Sequence, residues 1–323
     1  MLKTNILRVF FLVCLVALPL HAAQKVAVIG LWPLTSVLAF WTDAELIYIP
    51  KASYNAMEHS LSNKYAPQYK EAKVGNSENF EELLSLKADL YICPKSNIKI
   101  CNGLENAGAR TVKLTTNVDK HNSKKVLQHW LDSLAPYFPI EQKNRDIIND
   151  ITQTEDRILE ATKDTKKPKG IVIHRMDKNI AAGIFADYLL QYSGAENALG
   201  YMQSGEVGME EIYRMNPEII YISNFTPLLP TDILESKVWQ NIDAVKNGRV
   251  YKLPLATYRP FAPSLDISPV LLFMAQKNHP ELFKDMDIGE IYRKHSKKFY
   301  GIDLNEEDIN AILNPNPKAG ILN

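Results

Sequence analysis

Glu81–Asp89 reads EELLSLKAD, and Glu210–Glu218, 129 residues further on, reads EEIYRMNPE. Each copy opens on two adjacent carboxylates, carries aliphatic or Met residues at matching places, passes a small or rigid residue and ends on an acid. Each then runs into an apolar, β-rich stretch: Leu90–Cys93 (LYIC) in the first copy and Ile219–Ile222 (IIYI) in the second. A helix that delivers its chain into a buried strand, twice over, predicts two similar α/β lobes. Two lobes imply a cleft between them, and clefts bind ligands.

Outward from the first copy, Lys25–Gly30 (KVAVIG) reads as a buried strand leading through LWPLTSVLAF into a helix. Glu45–Pro50 (ELIYIP) is a second strand stopped by proline, and Ala109–Leu114 (ARTVKL) is another. Around the second copy, Lys169–His174 (KGIVIH) repeats the opening strand. A helix is expected near Ala181–Gln191, and Lys246–Val250 (KNGRV) is a turn built on Asn247-Gly248. Continuous apolar strands alternating with helices predict mainly parallel sheets in α/β layers. From Glu141, about 25 residues carry no Gly or Pro and place Ile148, Ile151 and Ile158 at helical spacing. Such a helix spans roughly 37 Å and is expected to brace the lobes apart as a stiff rod. From Pro269 the chain is expected to be helical, ending in a low-order NPNPKAG segment.

Residues 1–22 have the pattern of a cleaved secretory signal: Lys3 and Arg8, then the apolar run Val9–Leu20, then Ala22 and Ala23. The divisions expected are therefore 1–22 signal, 23–139 first lobe, 140–166 connecting helix and 167–323 second lobe. Cys14 lies inside the apolar run rather than after small residues at its end, which argues against a lipid anchor. Beyond the signal, 35 basic residues face 37 acidic ones, a net charge of −2, and no basic run suggests nucleic acid. In an exported chain, Cys93 and Cys101 are expected to close a small loop by a disulfide, with two thiols as the alternative.

The repeated EE pattern, together with Trp239–Pro254 (WQNIDAVKNGRVYKLP), resembles the periplasmic substrate-binding proteins of ABC importers for siderophores, haem and cobalamin. The resemblance runs from Lys25 to about Phe299. It implies two α/β lobes joined by one rigid helix, a shallow ligand cleft between them, and delivery of cargo to an inner-membrane permease and its ATPase. It also implies that one exposed glutamate per lobe, here Glu81 and Glu210, docks onto permease arginines. Carboxylates in a first helical turn are favoured by the helix dipole whether or not they dock. Ala88 departs from the family's usual proline, which Pro217 keeps in the second copy.

Ligands of open parallel sheets lie beyond the carboxyl ends of the strands. That picks out Trp32, Pro33 and Leu34; Lys51 and Tyr54; and Lys95 and Ser96 in the first lobe. In the second lobe it picks out His174 and Arg175; Asn224 and Phe225; and Tyr258, Arg259 and Phe261. The residues expected to hold ligand are Trp32, Tyr54, Lys95, His174, Arg175, Tyr258, Arg259 and Phe261. Aromatics beside cations suit a flat or aromatic anion. Each also has a structural reading: Trp32 and Phe261 as core, the arginines as solvated, His174 as a hydrogen-bonded strand end, and Tyr258 as a donor rather than an iron ligand. The seven histidines are scattered and no acidic loop resembles a calcium site, so a bare metal is disfavoured against a metal chelate. No G-x-S-x-G, H-E-x-x-H, G-x-G-x-x-G or phosphate-loop motif appears, which argues against an enzyme. The expected protein is a monomeric periplasmic receptor without a cofactor of its own, capturing a ferric siderophore; haem, cobalamin or a nickel or cobalt complex are the alternatives.

Overall fold

The computed structural model describes residues 23–76, 79–176, 181, 183–200 and 207–322; the expected signal, residues 1–22, lies outside them. The first lobe runs β1 (Lys25–Val28), α1 (Leu34–Trp41), β2 (Glu45–Pro50), α2 (Lys51–Glu58), α3 (Ser62–Tyr65) and β3 (Lys73–Gly75). It continues with α4 (Phe80–Ser85), β4 (Leu90–Pro94), α5 (Ile98–Asn106), β5 (Thr111–Leu114) and α6 (Ser123–Leu134). Helix α7 (Glu141–Thr162) leads out of it. The second lobe follows as β6 (Lys169–Ile173), α8 (Ala186–Tyr192), β7 (Glu196–Asn197), α9 (Met209–Met215) and β8 (Ile219–Ile222). Next come α10 (Pro230–Leu234), α11 (Asp243–Lys246) and β9 (Val250–Lys252), then α12 (Ile267–Asn278), α13 (Ile288–Tyr300) and α14 (Glu306–Leu313).

Each lobe is built on a parallel sheet, ordered β3-β2-β1-β4-β5 in the first and β7-β6-β8-β9 in the second. The second order repeats the β2-β1-β4-β5 portion of the first. In that repeat, α4 feeding β4 corresponds to α9 feeding β8, the two copies of the EE pattern. The inner strands are apolar throughout because helices cover both faces: Val26, Ala27, Val28, Ile219, Ile220 and Ile222 are wholly buried.

Helix α7 is 22 residues long, and Ile147, Ile151 and Ile158 form its buried stripe. Ile148 is only partly buried, so the register of that stripe is one residue from the expected one at its first position. The stripe packs between α6 of the first lobe and α12 of the second, so one apolar core runs across the junction. Glu155 is buried in this seam. Its Oε1 accepts the Tyr188 hydroxyl of α8 at 2.6 Å, and its Oε2 accepts the Lys124 ammonium of α6. A single carboxylate on the connecting helix thus binds a partner from each lobe, and it offsets the cost of burying charge.

The helix is not the sole crossing. The Trp41 indole N–H donates to Phe299 O at 3.0 Å, and Lys64 and Tyr65 both reach Asp308, at 2.7 and 2.6 Å. Ser62 Oγ donates to Thr257 O at 2.9 Å. Helices α13 and α14, late in sequence, therefore lie against the first lobe. The expected low-order NPNPKAG segment is instead an ordered 3-10 turn, Pro317–Gly320, with Ala319 buried against α2. Small residues permit this: a Cβ on Gly320 would sit 2.1 Å from the Thr226 carbonyl carbon.

Replacing Glu155 by Leu leaves the Lys124 ammonium and the Tyr188 hydroxyl facing an apolar seam. Urea unfolding should show a loss of about 3 kcal/mol relative to wild type. A loss below about 0.5 kcal/mol would show that the seam does not depend on this carboxylate.

Candidate functional site

The carboxyl ends of both sheets open onto one cleft of about 560 Å³ between the lobes. The first lobe contributes Gly30–Pro33 after β1, Pro94 at the end of β4 and Ser96 beyond it, Thr116 after β5, and Trp130 of α6. The second contributes His174 and Arg175 after β6, Ile184 and Phe185 ahead of α8, Phe225 after β8, and Phe261–Pro263. Leu322 completes the wall. Among the described residues that line it there is no Asp or Glu, and Arg175 carries the charge.

Two consecutive left-handed residues, Gly30 (φ 64°) and Leu31 (φ 42°), throw Trp32 out of the first sheet. A non-glycine residue in that region costs about 1 kcal/mol or more, and the turn is held by Ser53 Oγ donating to Trp32 O at 2.8 Å. The indole is 37% exposed, and its ring centroid lies 6.3 Å from that of Phe225 across the cleft. Phe225 meets Phe261 edge to face at 6.3 Å, and His174 stands edge-on to Phe261 at 4.8 Å.

The loop carrying Phe225 is fixed from beneath. Lys252 on β9 is buried and donates to the carbonyls of Ser223, Thr226 and Leu228 at 2.9, 2.7 and 2.8 Å. Asn224 donates to Leu253 O, and the Phe225 N–H donates to Ser223 Oγ. That same hydroxyl hydrogen-bonds His174 Nδ1. Burial, then the Lys252 and Arg175 cations, pull the His174 imidazole down to about 4, so it is neutral near pH 7. Burial likewise brings Lys252 down to about 7.

Trp32, His174, Arg175 and Phe261 converge on the cleft, with Pro33, Ser96 and Phe225 beside them. Other expected residues are elsewhere. Arg259 is wholly buried and has no free donor. Its Nε and Nη2 donate to Ala319 O, its Nη1 to Ala52 O and to Tyr258 Oη, and its Nη2 also to Asn55 Oδ1. All five guanidinium N–H groups are thereby used, and the group stacks 4.9 Å from the Phe225 ring centroid. It supports the cleft from behind and does not reach into it. Tyr258 is wholly buried beside it, its phenol pushed up to about 12 by burial; it is placed for structure, not for binding iron. Tyr54 packs edge to face on Tyr69 at 5.4 Å, outside the cleft lining. Lys51 and Lys95 are exposed outside that lining, Leu34 is core, and Asn224 is a buried loop tie.

Cys93 and Cys101 are buried as two thiols in contact, not the expected disulfide; the Cys101 sulfur and then burial push the Cys93 thiol up. Trp130 and Phe185 line the cleft without having been expected.

On the outer surface, Glu81 and Glu210 occupy equivalent places in the first turns of α4 and α9. Each is exposed and has no ion pair among the described residues. Their neighbours differ: Glu82 binds Lys73 at 2.8 Å and Glu211 lies 3.6 Å from Arg214. Because α4 and α9 each precede a parallel strand and run back against it, both glutamates start on the cleft side of their lobes.

The family model for periplasmic binding proteins matches residues 35–257. The molybdate-binding protein MolA of Haemophilus influenzae is similar at 22% identity over 251 residues, 70% of each chain. Among solved structures, a periplasmic solute binding protein from Veillonella parvula is 25% identical, with 90% of this chain and 92% of that one covered, at a TM-score of 0.77. The nickel-bound CeuE of Helicobacter pylori shares the fold at 24% identity, with 90% and 94% covered, at a TM-score of 0.69.

Since the folded state holds His174 at about 4 and the unfolded chain at about 6.5, the unfolded chain binds the extra proton between those values. Stability should therefore fall as pH drops from 6.5 toward 4, by up to about 3 kcal/mol from this group. His174→Gln should remove that part of the decline. Urea midpoints of both proteins at pH 4.5 and 7 measure it, and parallel declines would assign the loss to other groups.

Proposed function

Because the chain belongs to the periplasmic binding protein family, we propose that it is the substrate-binding component of an ABC importer, working in the periplasm and holding an anionic ferric siderophore between its lobes. It then delivers that cargo to an inner-membrane permease and its ATPase. The observation that carries this reading is the chemistry of the cleft wall: aromatic side chains from both lobes, Arg175, and no carboxylate among the described lining residues. Aromatic faces suit the flat arms of a chelator, and a guanidinium suits its negative charge. A neutral His174 adds a polar edge without adding charge.

Size supports a chelate over a small ion. Ligand pockets for small organic molecules run about 300–1,000 Å³, and this one is about 560 Å³. That is room for roughly 20 waters at about 30 Å³ each, far more than a tetrahedral oxyanion fills. The similarity to a molybdate-binding protein nonetheless makes molybdate the second reading. A chelated metal brings its own donor atoms, and no group of three or more His, Cys, Asp or Glu that could hold a metal ion is found among the described residues. Closure on the ligand is small, because the seam around α7 already fixes the lobes.

Thermal unfolding with a ferric catecholate, a ferric hydroxamate, haem, cobalamin, nickel–histidine and molybdate separates the readings. The true cargo at a hundredfold excess over its Kd should raise Tm by about 5 °C. Stabilisation by molybdate alone would replace the chelate reading. Arg175→Ala should weaken an anionic chelate by roughly ten- to a hundredfold, the worth of one charged hydrogen bond.

Glu81 and Glu210 are the docking residues for permease cations in this reading, free to meet a partner because their neighbours take the local lysine and arginine. The Glu81→Ala, Glu210→Ala double variant should bind cargo as wild type yet fail to support uptake in cells. Normal uptake in that variant would refute the docking roles.

A further inference from the structure

Gly30, Trp32, Pro94 and Ser96 each border two spaces, the main cleft and a separate recess of about 260 Å³ in the first lobe. The recess lies where the order β3-β2-β1-β4-β5 reverses direction, between the loops that leave β1 and β4. Loops diverging at such a point leave a crevice, and in open α/β sheets that crevice is where ligands are held. Trp32 stands as the partition between the two spaces.

The walls of the recess differ from those of the cleft. Tyr48 and Gly75 form its depth, and Asn76 and Asn97 its polar rim; none of its described lining residues is charged. Gly75 makes the space, since a Cβ there would meet Tyr48 Oη at 2.7 Å. Asn76 Oδ1 accepts the Lys51 backbone N–H at 3.2 Å, which fixes the amide and leaves its NH₂ as a donor. The Asn97 amide makes no side-chain hydrogen bond among the described residues and offers both a donor and an acceptor.

We propose that this recess is a second ligand subsite, taking an uncharged hydrogen-bonding arm, a hydroxyl or carboxamide, of the same molecule whose charged core lies beside Arg175. This rests on the anionic-chelate reading above. Trp32 then sorts ligands by shape: only an arm slender enough to pass beside the indole reaches Asn76 and Asn97.

Calorimetric titration with two probes tests the assignment: the ferric complex of a tripodal tris-catecholamide, and the same complex with a hydroxyethyl arm on its backbone. The arm-bearing complex should bind about tenfold more tightly, the size of two modest hydrogen bonds. The Asn76→Leu, Asn97→Leu double variant should bring that ratio close to one, and Gly75→Ala, which crowds the recess through Tyr48, should lower it as well. Circular dichroism establishes that each variant is folded. Equal affinities in the wild type, or a preference that survives both variants, would overturn the subsite. Binding of neither complex overturns this assignment, while the chelate reading stands or falls by the ligand series above, so the two failures are told apart.

Discussion

A guanidinium buried without a carboxylate beside it is the constraint on which the site depends. Arg259 saturates its five N–H groups with two carbonyl oxygens, an amide oxygen and a phenol, from α2, the Pro317–Gly320 turn and its own neighbour Tyr258. An arginine so placed costs desolvation that only a full set of acceptors can offset. The α2 acceptors lie 207 and 204 residues from the arginine in sequence, so the guanidinium fixes the first lobe, the late turn and the ring of Phe225 in one arrangement. The cleft is shaped by that arrangement before any ligand arrives.

The same logic recurs at the seam and under the loop. Glu155 joins α6 to α8 through the connecting helix, and Lys252 folds residues 223–228 around three carbonyls. Each is a buried polar centre that ties separate segments together: Glu155 links two helices, and Lys252 ties β9 to the 223–228 loop. Removing either end leaves an unpaired group in an apolar setting, which is why such centres hold their elements in a single geometry. A receptor built this way meets its cargo with a preformed wall and little reorganisation, and affinity is not spent on ordering the protein.

Much of this was legible in the sequence, and the failures have a common cause. The repeated EE pattern located two helix–strand units because a 3.6-residue period giving way to a continuous apolar run is a local signal. Strand-end reasoning picked out Trp32, His174, Arg175 and Phe261, which line the cleft. It gives position along a strand but not depth, so it could not separate Arg175, which faces the cleft, from Arg259, which is sealed behind it. Trp130 escaped because a helical tryptophan on an apolar face reads as core until the opposing lobe is in place. The NPNPKAG segment read as loose because Pro and Asn are turn formers. What buries it is long-range: the Ala319 carbonyl is needed by Arg259, and Gly320 alone fits beneath Thr226. The cysteine pair was placed in contact by its spacing, but spacing says nothing about whether the sulfurs join.

The placement of Trp32 has an optical corollary. Of the four tryptophans, Trp41, Trp130 and Trp239 are 4% exposed or less, whereas Trp32 is 37% exposed. Its emission is therefore the most water-shifted in the molecule, and it originates at the lip of the cavity. A coloured occupant would quench that long-wavelength component ahead of the emission from Trp239, which lies in a separate core. The protein thus carries an intrinsic fluorescent reporter of its own occupancy.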